Sequence, residues 1–477
     1  MEKFQVAIIG AGIVGASLFS ELCRKGVNAV LLEKSSDVSN GSTKANSGIV
    51  HAGYDPIPGT LKAKFNIRGS QIFPSICNRL GVEIKQCGTL VVANESGREA
   101  LQELLDRGIQ NGVSGLRIVE RDELHTMEPN LADNIDIGLF APTGAVISPY
   151  LVCIALAEEG VVNGGTVKVN FEVNEIIEGE YGYTLSNGKD EVEADFVVNC
   201  AGVNANLINE LAGAPTFEMK YVKGEYLLLD KSQNGYVNMP IFPLPTKAGK
   251  GILATPTLHG NIMLGPTAIP CEPDDTTVDA EGIAIIKEKI VLSVQEPNYK
   301  KIIKLFAGVR VVSGEDFIID KKENSHFYYT VGICSPGLTA APAIAEYLCE
   351  KLIEDGLQTQ EHTFVPRKPY VTIDKMSKKQ LKDFVKDNPS FGKIVCRCEK
   401  ITEGEVIAAM RSPLHPNTVD GIKRRVRPTM GRCQGGFCLP KLIKIMADEL
   451  NVPVEEITLN GANSKILVNT PKEEKVD

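Results

Sequence analysis

The stretch that most restricts the fold lies near the amino terminus and reads FQVAIIGAGIVGASLFSELCRKGVNAVLLEKS. Its first part is a continuous apolar run, typical of a strand covered on both faces. Gly10, Gly12 and Gly15 follow at the spacing G-x-G-x-x-G, then a helical pattern and a second strand that ends at Glu33. The first glycine permits a tight turn, the second lets a pyrophosphate approach the backbone, and the third lets helix and strand pack closely. The sequence therefore predicts a Rossmann-like nucleotide-binding unit, with an acid placed to bind a ribose diol.

Length and charge narrow the class of protein. The 477 residues give room for two or three domains. A net charge of -9 gives no electrostatic signature of a nucleic-acid binder. No apolar run approaches the roughly 20 residues of a membrane span, and the amino terminus lacks the features of a signal peptide. We therefore expect a cytoplasmic protein.

A second informative segment, GSTKANSGIVHAGYDPIPGTLKAKFNIRG at residues 41–69, is dense in small and polar residues. It follows the second predicted strand, where the phosphates and ring of a flavin would lie. Gly48 and Gly53 bracket His51, so this histidine lies on a loop that can pass close to a flat ring. An imidazole changes its charge near physiological pH, which suits a base that accepts the proton of an alcohol. Alternatively, His51 only hydrogen-bonds the flavin or orients the substrate, or it is a surface histidine on a flexible loop.

Residues 41–69 resemble the N-S-G-x-x-H-x-G-Y segment, continued by G-S/T-L-K-A-K, of FAD-dependent 2-hydroxyacid and glycerol-3-phosphate dehydrogenases. Similar stretches are DFVVNCAGVNA at 195–205, VKGEYLLLD at 222–230 and GICSPGLTAAPAIAEYL at 332–348. The resemblance covers about residues 4–350. It implies FAD as cofactor and an α/β fold: a Rossmann-like FAD-binding domain of the glutathione-reductase type, with an inserted, mostly antiparallel substrate domain.

The resemblance also implies which residues contact the FAD. These are Gly10, Gly12, Gly15, Glu33, Lys34, Thr43, Asn46, Ser47, Gly48, Val173, Ala201, Gly202, Gly337, Leu338 and Thr339. The last three begin a predicted helix, and a helix amino end carries free N–H groups and partial positive charge. Such an end stabilises the negative charge that forms around N1 of a reduced flavin.

Arg310, in AGVRVVSGEDFIID, matches the arginine of the family's G-x-R-P motif, although Val311 stands in place of the proline. A guanidinium can hold a carboxylate or phosphate with two parallel hydrogen bonds. Arg310 is therefore the predicted substrate anchor and, with His51, a predicted catalytic residue. Tyr54 and Lys223 are further candidates for the same pocket. The alternative for Arg310 is a surface salt bridge.

Four of the 12 cysteines fall in two close pairs, Cys396 with Cys398 and Cys433 with Cys438. Four thiolates on two loops suit a tetrahedral zinc ion or a [2Fe–2S] cluster. Zinc knuckles mostly use C-x2-C pairs, whereas these are C-x-C and C-x4-C. Nearby basic residues would surround an anionic cluster: Arg397, Lys423, Arg424, Arg425, Arg427 and Arg432. The unit resembles the small helical, bacterioferritin-associated-ferredoxin-like [2Fe–2S] domain that is fused to anaerobic glycerol-3-phosphate dehydrogenases, which favours the cluster.

The predicted domain order has three parts and a tail. An FAD-dependent oxidoreductase domain spans 1–365, with its FAD part at about 1–70, 145–215 and 326–365, and its substrate part at about 71–144 and 216–325. A linker at 366–392, with a helix at SKKQLKDFVKD, leads to the [2Fe–2S] domain at 393–462 and a flexible tail at 463–477. Within the substrate part, FIIDK is expected to be a strand and RIVERDELHTMEP a short connector.

Together these features predict an FAD-dependent dehydrogenase that acts on CH–OH donors. We expect sn-glycerol 3-phosphate to be oxidised to dihydroxyacetone phosphate, with hydride passing to flavin N5 and single electrons passing through the cluster. The acceptor is expected to be a partner redox subunit, which could tether the protein to a membrane, or a quinone-linked carrier. The alternative substrates are L-2-hydroxyglutarate or another 2-hydroxyacid, and an amine or imino acid. The alternative of another class is an electron-transfer or redox-sensing subunit.

Overall fold

The computed structural model describes residues 2–244 and 251–467. The helices in these ranges are α1 Ile13–Arg24, α2 Leu61–Leu80, α3 Arg98–Gln110, α4 Arg121–Met127, α5 Pro149–Val162, α6 Ala205–Leu211, α7 Ala280–Ile290, α8 Gly337–Glu354, α9 Lys378–Asp387, α10 Glu403–Met410, α11 Val419–Val426 and α12 Leu439–Leu450. The strands are β1 Glu2–Ile9, β2 Ala29–Leu32, β3 Ile49–Val50, β4 Ile84–Lys85, β5 Thr89–Ala93, β6 Arg117–Glu120, β7 Ile137–Ala141, β8 Ala145–Ile147, β9 Thr166–Lys168, β10 Glu175–Gly179, β11 Gly182–Ser186, β12 Glu191–Asn199, β13 Lys220–Leu229, β14 Ile241–Pro243, β15 Leu253–Pro256, β16 Ile262–Gly265, β17 Ile269–Pro270, β18 Ile302–Val312, β19 Ile318–Lys321, β20 Phe327–Val331, β21 Ile394–Cys396 and β22 Ile401–Thr402.

The amino-terminal motif forms the predicted strand, helix and second strand. β1 pairs in parallel with β2 on one side and with β12 on the other, and β9 and β20 extend this parallel core. The hairpin of β10 and β11 and the strand β19 complete this sheet, which we call the nucleotide sheet. α1 packs between the sheet and helices α5 and α8 through fully buried side chains such as Leu18 and Phe19. The fold class predicted from the sequence is confirmed.

The two predicted insertions share a second sheet, which we call the substrate sheet. Its strand order is β17-β13-β16-β15-β14-β5-β7-β6, and β18 pairs with β13 along nearly its whole length. Two details differ from the prediction. The segment FIIDK forms β19, which pairs with β20 in the nucleotide sheet because only a short turn separates the two strands. The expected connector RIVERDELHTMEP instead forms β6 and α4.

The carboxyl-terminal unit, which we call the cysteine unit, is small and helical. α10, α11 and α12 pack around fully buried side chains such as Ile422 and Leu442. A capping box begins α10: the N–H of Glu405 donates to Thr402 Oγ1 over 3.3 Å, and the N–H of Thr402 donates to Glu405 Oε2 over 2.8 Å. Of the predicted tail, residues 468–477 lie outside the described residues.

The segment predicted as a linker forms its helix, α9, but its first part is held against α5. Arg367 Nε lies 2.6 Å from Glu158 Oε2, and both side chains are almost fully buried. The hydroxyl of Tyr370 donates to the same carboxylate. Within the described residues, no helix is long and apolar enough to cross a membrane.

Candidate functional site

The glycine turn after β1 lies directly against the end of β12. Gly10 has a φ of +99°, and a Cβ there would lie 2.6 Å from the carbonyl oxygen of Cys200. A Cβ on Gly15 would lie 2.0 Å from the carbonyl oxygen of Gly10. Among the described residues, a Cβ on Gly12 would meet only Thr43 Oγ1, at 3.4 Å. Gly10 and Gly15 therefore leave no space for a side chain, whereas Gly12, at the amino end of α1, leaves space around the backbone. Such space at a helix amino end suits a bound pyrophosphate.

The chain that follows β2 wraps around this turn, and we call residues 33–44 the clasp loop. Glu33 Oε2 accepts a hydrogen bond from the N–H of Ala11 over 2.9 Å. The N–H of Ser39 donates to the carbonyl of Ala11 over 2.9 Å, and the N–H of Ile13 donates to Thr43 Oγ1 over 3.0 Å. The clasp loop is therefore fastened to the start of α1, where the predicted FAD phosphates would bind.

Most of the other predicted FAD contacts lie around the same end of the nucleotide sheet. The N–H of Gly48 donates to Asn46 Oδ1 over 2.8 Å, which shapes the loop before β3. α8 begins at Gly337 without a side-chain cap, and the N–H of Gly337 donates to the carbonyl of Cys334 over 2.5 Å. The next N–H groups, those of Leu338 and Thr339, are left for an anion. The remaining residues of the set are Ser47, Val173, Ala201, Gly202, Leu338 and Thr339. Lys34, which follows Glu33 directly, has a side chain that is exposed to solvent.

His51 follows β3 and lies at the start of α8. Its N–H donates to Thr339 Oγ1 over 2.9 Å, and its carbonyl accepts from Asn66 Nδ2 over 3.1 Å. The ring nitrogen Nε2 lies 3.5 Å from Ser335 Oγ. His51 and Tyr54 line one small cavity. Burial raises the pKa of the Tyr54 hydroxyl. The backbone of His51 is thus held on both sides, and its ring lies between Ser335, just before α8, and the ring of Phe242 on β14 of the substrate sheet, 5.9 Å away.

Arg310 lies on β18, two residues after Gly308, so both face the same side of the substrate sheet. A Cβ on Gly308 would lie 2.2 Å from the carbonyl oxygen of Ala45, so this side meets the loop that follows the clasp loop. Arg310 Nη2 donates to the carbonyl of Thr267 over a long 3.3 Å. Its Nε is buried and has no hydrogen-bond partner among the described residues. A buried donor without a partner is costly, so this guanidinium is suited to an anionic ligand.

The structure places Lys223 away from Arg310. This residue lies opposite Val309 on β18, which puts it on the other face of the sheet from Arg310. Its Nζ lies 3.0 Å from Asp275 and 3.4 Å from Glu225. The hydrogen bond with Asp275, followed by that with Glu225, raises the pKa of Lys223. The ammonium group already has acidic partners in this chain, which favours a structural role over that of a second substrate anchor.

The four predicted cluster cysteines come together as two pairs. Cys398 Sγ lies 3.9 Å from Cys433 Sγ, and Cys396 lies beside Cys438. Two thiolates on one tetrahedral metal are about 3.8 Å apart when each metal–sulfur bond is about 2.3 Å. Across residues 2–244 and 251–467, no three histidine, cysteine or acidic side chains converge on a position for a single metal ion. Two pairs are what a cluster of two irons needs.

The loop before α12 directs backbone N–H groups at Cys433. Burial alone would raise the pKa of this thiol, but the N–H groups of Phe437, Gly435 and Gly436 lower it below its ordinary value. These groups stabilise negative charge on sulfur, and hydrogen bonds to sulfur are a feature of iron–sulfur sites. The cysteine unit therefore suits the cluster in both its thiols and its backbone.

Some of the basic residues expected around the cluster form ion pairs with acidic side chains of this chain instead. Arg424 Nη2 lies 2.9 Å and Arg425 Nη1 lies 2.7 Å from Asp37 Oδ2 in the clasp loop. Arg427 pairs with Glu399 over 3.1 Å. Sequence reasoning missed Asp37, because its partners are almost 390 residues away and nothing in its local sequence marks it.

Comparison with known families agrees with this geometry. The family described as FAD dependent oxidoreductase (DAO) matches residues 5–351. The BFD-like [2Fe-2S] binding domain matches residues 394–448, which include all four paired cysteines. The chain belongs to the FAD dependent oxidoreductase family and carries a BFD-like [2Fe-2S] binding domain at its carboxyl end. Its cofactors are FAD and a [2Fe–2S] cluster.

Individual relatives differ in how much of the chain they share. A glycerol 3-phosphate dehydrogenase of Caloramator mitchellensis is 42% identical over 478 residues, which cover 99% of each chain. A mitochondrial L-2-hydroxyglutarate dehydrogenase of Bos taurus is 34% identical over 56% of this chain and 61% of its own. The structure of a dithionite-reduced L-alpha-glycerophosphate oxidase from Mycoplasma pneumoniae with FAD bound is similar at a TM-score of 0.71. That protein is 30% identical, and the match covers 77% of this chain and 97% of that one.

Proposed function

We propose that the protein is an FAD-dependent dehydrogenase that oxidises sn-glycerol 3-phosphate to dihydroxyacetone phosphate. The observation that carries the proposal is the 42% identity to a glycerol 3-phosphate dehydrogenase along 99% of both chains. The match to an L-2-hydroxyglutarate dehydrogenase covers only 56% of this chain. Both substrates are anions with a secondary alcohol, so the pocket chemistry fits either, and the extent of the match favours glycerol 3-phosphate.

Two side chains have roles in this proposal. Arg310 binds the phosphate group, because its buried Nε has no other partner among the described residues. His51 accepts the proton of the alcohol, since its backbone is held between Thr339 and Asn66. Tyr54 lines one small cavity together with His51. The amino end of α8 places partial positive charge beside this pocket.

The cysteine unit has the second role. We propose that Cys396, Cys398, Cys433 and Cys438 would hold the cluster. When bound, FAD would supply two-electron oxidation of the alcohol, and the [2Fe–2S] cluster would supply one-electron transfer to an acceptor. Cys398 is exposed, which supports transfer to a separate acceptor. We propose a partner redox subunit or a quinone-linked carrier in that role, with membrane association only through such a partner.

The experiment is anaerobic mixing of the purified protein with candidate substrates while the absorbance of oxidised flavin is followed. We expect glycerol 3-phosphate to bleach the flavin. Glycerol, the same alcohol without the phosphate, is the matched control and should leave it oxidised. Faster bleaching by L-2-hydroxyglutarate would replace the proposed substrate with the alternative. Bleaching by no small alcohol or amine would point to an electron-transfer subunit.

A further inference from the structure

The contact between the cysteine unit and the nucleotide sheet includes a buried group of charges. Asp37 in the clasp loop and Arg424 and Arg425 on α11 are each at most 4% exposed. Arg425 forms a fork with Asp37, with Nη1 2.7 Å from Oδ2 and Nη2 3.0 Å from Oδ1. Arg424 adds a third bond, with Nη2 2.9 Å from Oδ2. One carboxylate of the FAD-binding loop is thus bound by two arginines from the iron–sulfur domain.

Arg424 also binds a second residue of the clasp loop, Asn40. Arg424 Nη1 donates to Asn40 Oδ1 over 2.6 Å, and Lys44 Nζ donates to that oxygen over 3.3 Å. A Cβ on Gly421 of α11 would lie 3.2 Å from Asp37 Oδ2, so the helix backbone approaches the loop closely. The clasp loop therefore lies between α11 on one side and the glycine turn on the other.

We propose that the iron–sulfur domain completes the FAD site, because Arg424 and Arg425 hold the clasp loop closed around the glycine turn through Asp37 and Asn40. The proposal rests on the FAD site proposed above. It makes the two arginines positioning residues for FAD binding, although they belong to the domain that carries the other cofactor.

Burial explains why this contact couples the two cofactor domains. Isolated buried charges are unfavourable, and removal of one partner leaves the other uncompensated. If the domain separated from the clasp loop, water would have to solvate Asp37 and both guanidinium groups. Closure of the loop and docking of the domain therefore occur together. Because such coupling is reciprocal, FAD that favours the closed loop also favours the docked domain.

The direct test is the dissociation constant of FAD, measured by quenching of flavin fluorescence as FAD is added to the apoflavoprotein. Arg424→Gln should raise this constant by roughly tenfold or more, within the usual range for coupled sites. Arg411→Gln is the matched control, since Arg411 pairs with Glu449 inside the cysteine unit and is exposed. Lys231→Gln is the second control, because it breaks a different contact to this unit, the 2.8 Å pair with Glu399. Both controls should bind FAD as the unaltered protein does.

Hydrogen exchange on the unaltered protein tests the same coupling without any variant that could misfold. FAD added to the apoflavoprotein should slow exchange in residues 33–44 and also in residues 419–426 of α11. Protection of the nucleotide sheet with none in 419–426 would overturn the proposal, as would wild-type FAD affinity in Arg424→Gln. If Arg424→Gln binds FAD normally and still oxidises glycerol 3-phosphate, the proposed coupling is refuted and the proposed function is unaffected.

Discussion

Replacement of Arg310 tests how the substrate anion is held. Its Nη2 makes one long bond of 3.3 Å to Thr267, and its Nε is buried without a partner among the described residues. A bound phosphate can therefore take at least two hydrogen bonds, from Nε and a terminal nitrogen. Because a hydrogen bond to a charged group contributes about 1.5–3 kcal/mol, loss of both costs about 3–6 kcal/mol.

That free energy converts to a large kinetic effect. Since about 1.4 kcal/mol is tenfold, Arg310→Ala should lower kcat/KM for glycerol 3-phosphate by roughly a hundredfold to ten-thousandfold. Arg310→Lys keeps the charge but loses the planar fork, so we expect a loss of roughly tenfold to a hundredfold. The assay is the rate of anaerobic flavin reduction against substrate concentration.

The control is a second arginine of the same sheet. Arg117, on the edge strand β6, pairs with Glu123, and both side chains are about half exposed. Arg117→Ala should leave kcat/KM within about twofold of the unaltered protein, as for most surface substitutions. Unchanged kcat/KM in Arg310→Ala would refute the argument that this guanidinium binds the substrate.

The remaining predictions concern the proton, the cluster and the second cation. His51→Asn should keep FAD bound but slow anaerobic flavin reduction by roughly a hundredfold and remove the low-pH limb of its rate profile; a wild-type profile would show that the proton goes elsewhere. Cys433→Ser should abolish the reduced-cluster signal in electron paramagnetic resonance while flavin reduction by substrate survives, whereas Cys349→Ser, in the core, should keep the signal; a persistent signal in the first variant would exclude Cys433 as a ligand. Lys223→Ala should lower the Tm because Glu225 loses its partner, with KM unchanged; a raised KM at normal Tm would restore Lys223 to the substrate pocket.

Local signals account for what the sequence predicted well. The glycine turn depends on residues 10–15 alone. The two cysteine motifs are equally local, although the thiols that meet, Cys398 with Cys433 and Cys396 with Cys438, come from different motifs. Each sequence pattern carries its own physical reason, so no knowledge of distant contacts was needed to predict the nucleotide strand, the helices of the cysteine unit or the four cluster cysteines.

Distant contacts account for what the sequence did not reveal. The side of the sheet that Lys223 faces depends on its register with β18, about eighty residues further along the chain. The bonds of Arg424 and Arg425 to Asp37 depend on how α11 docks onto the clasp loop. Near a cysteine motif, two arginines are naturally interpreted as counter-charges to a cluster. The structure shows instead that both arginines bind Asp37 of the clasp loop, next to the predicted FAD site.

We infer that a single chain carries both redox steps, from glycerol 3-phosphate to FAD and from FAD to a [2Fe–2S] cluster. An anaerobic titration with glycerol 3-phosphate, followed by flavin absorbance and by electron paramagnetic resonance, tests it most directly. FAD takes two electrons and the cluster takes one, so full reduction should need about 1.5 equivalents of substrate per chain, with the cluster signal appearing alongside flavin bleaching. Cys433→Ser should need about one equivalent. Flavin bleaching that stops at about one equivalent in the unaltered protein, with its cluster intact but still oxidised, would contradict the account.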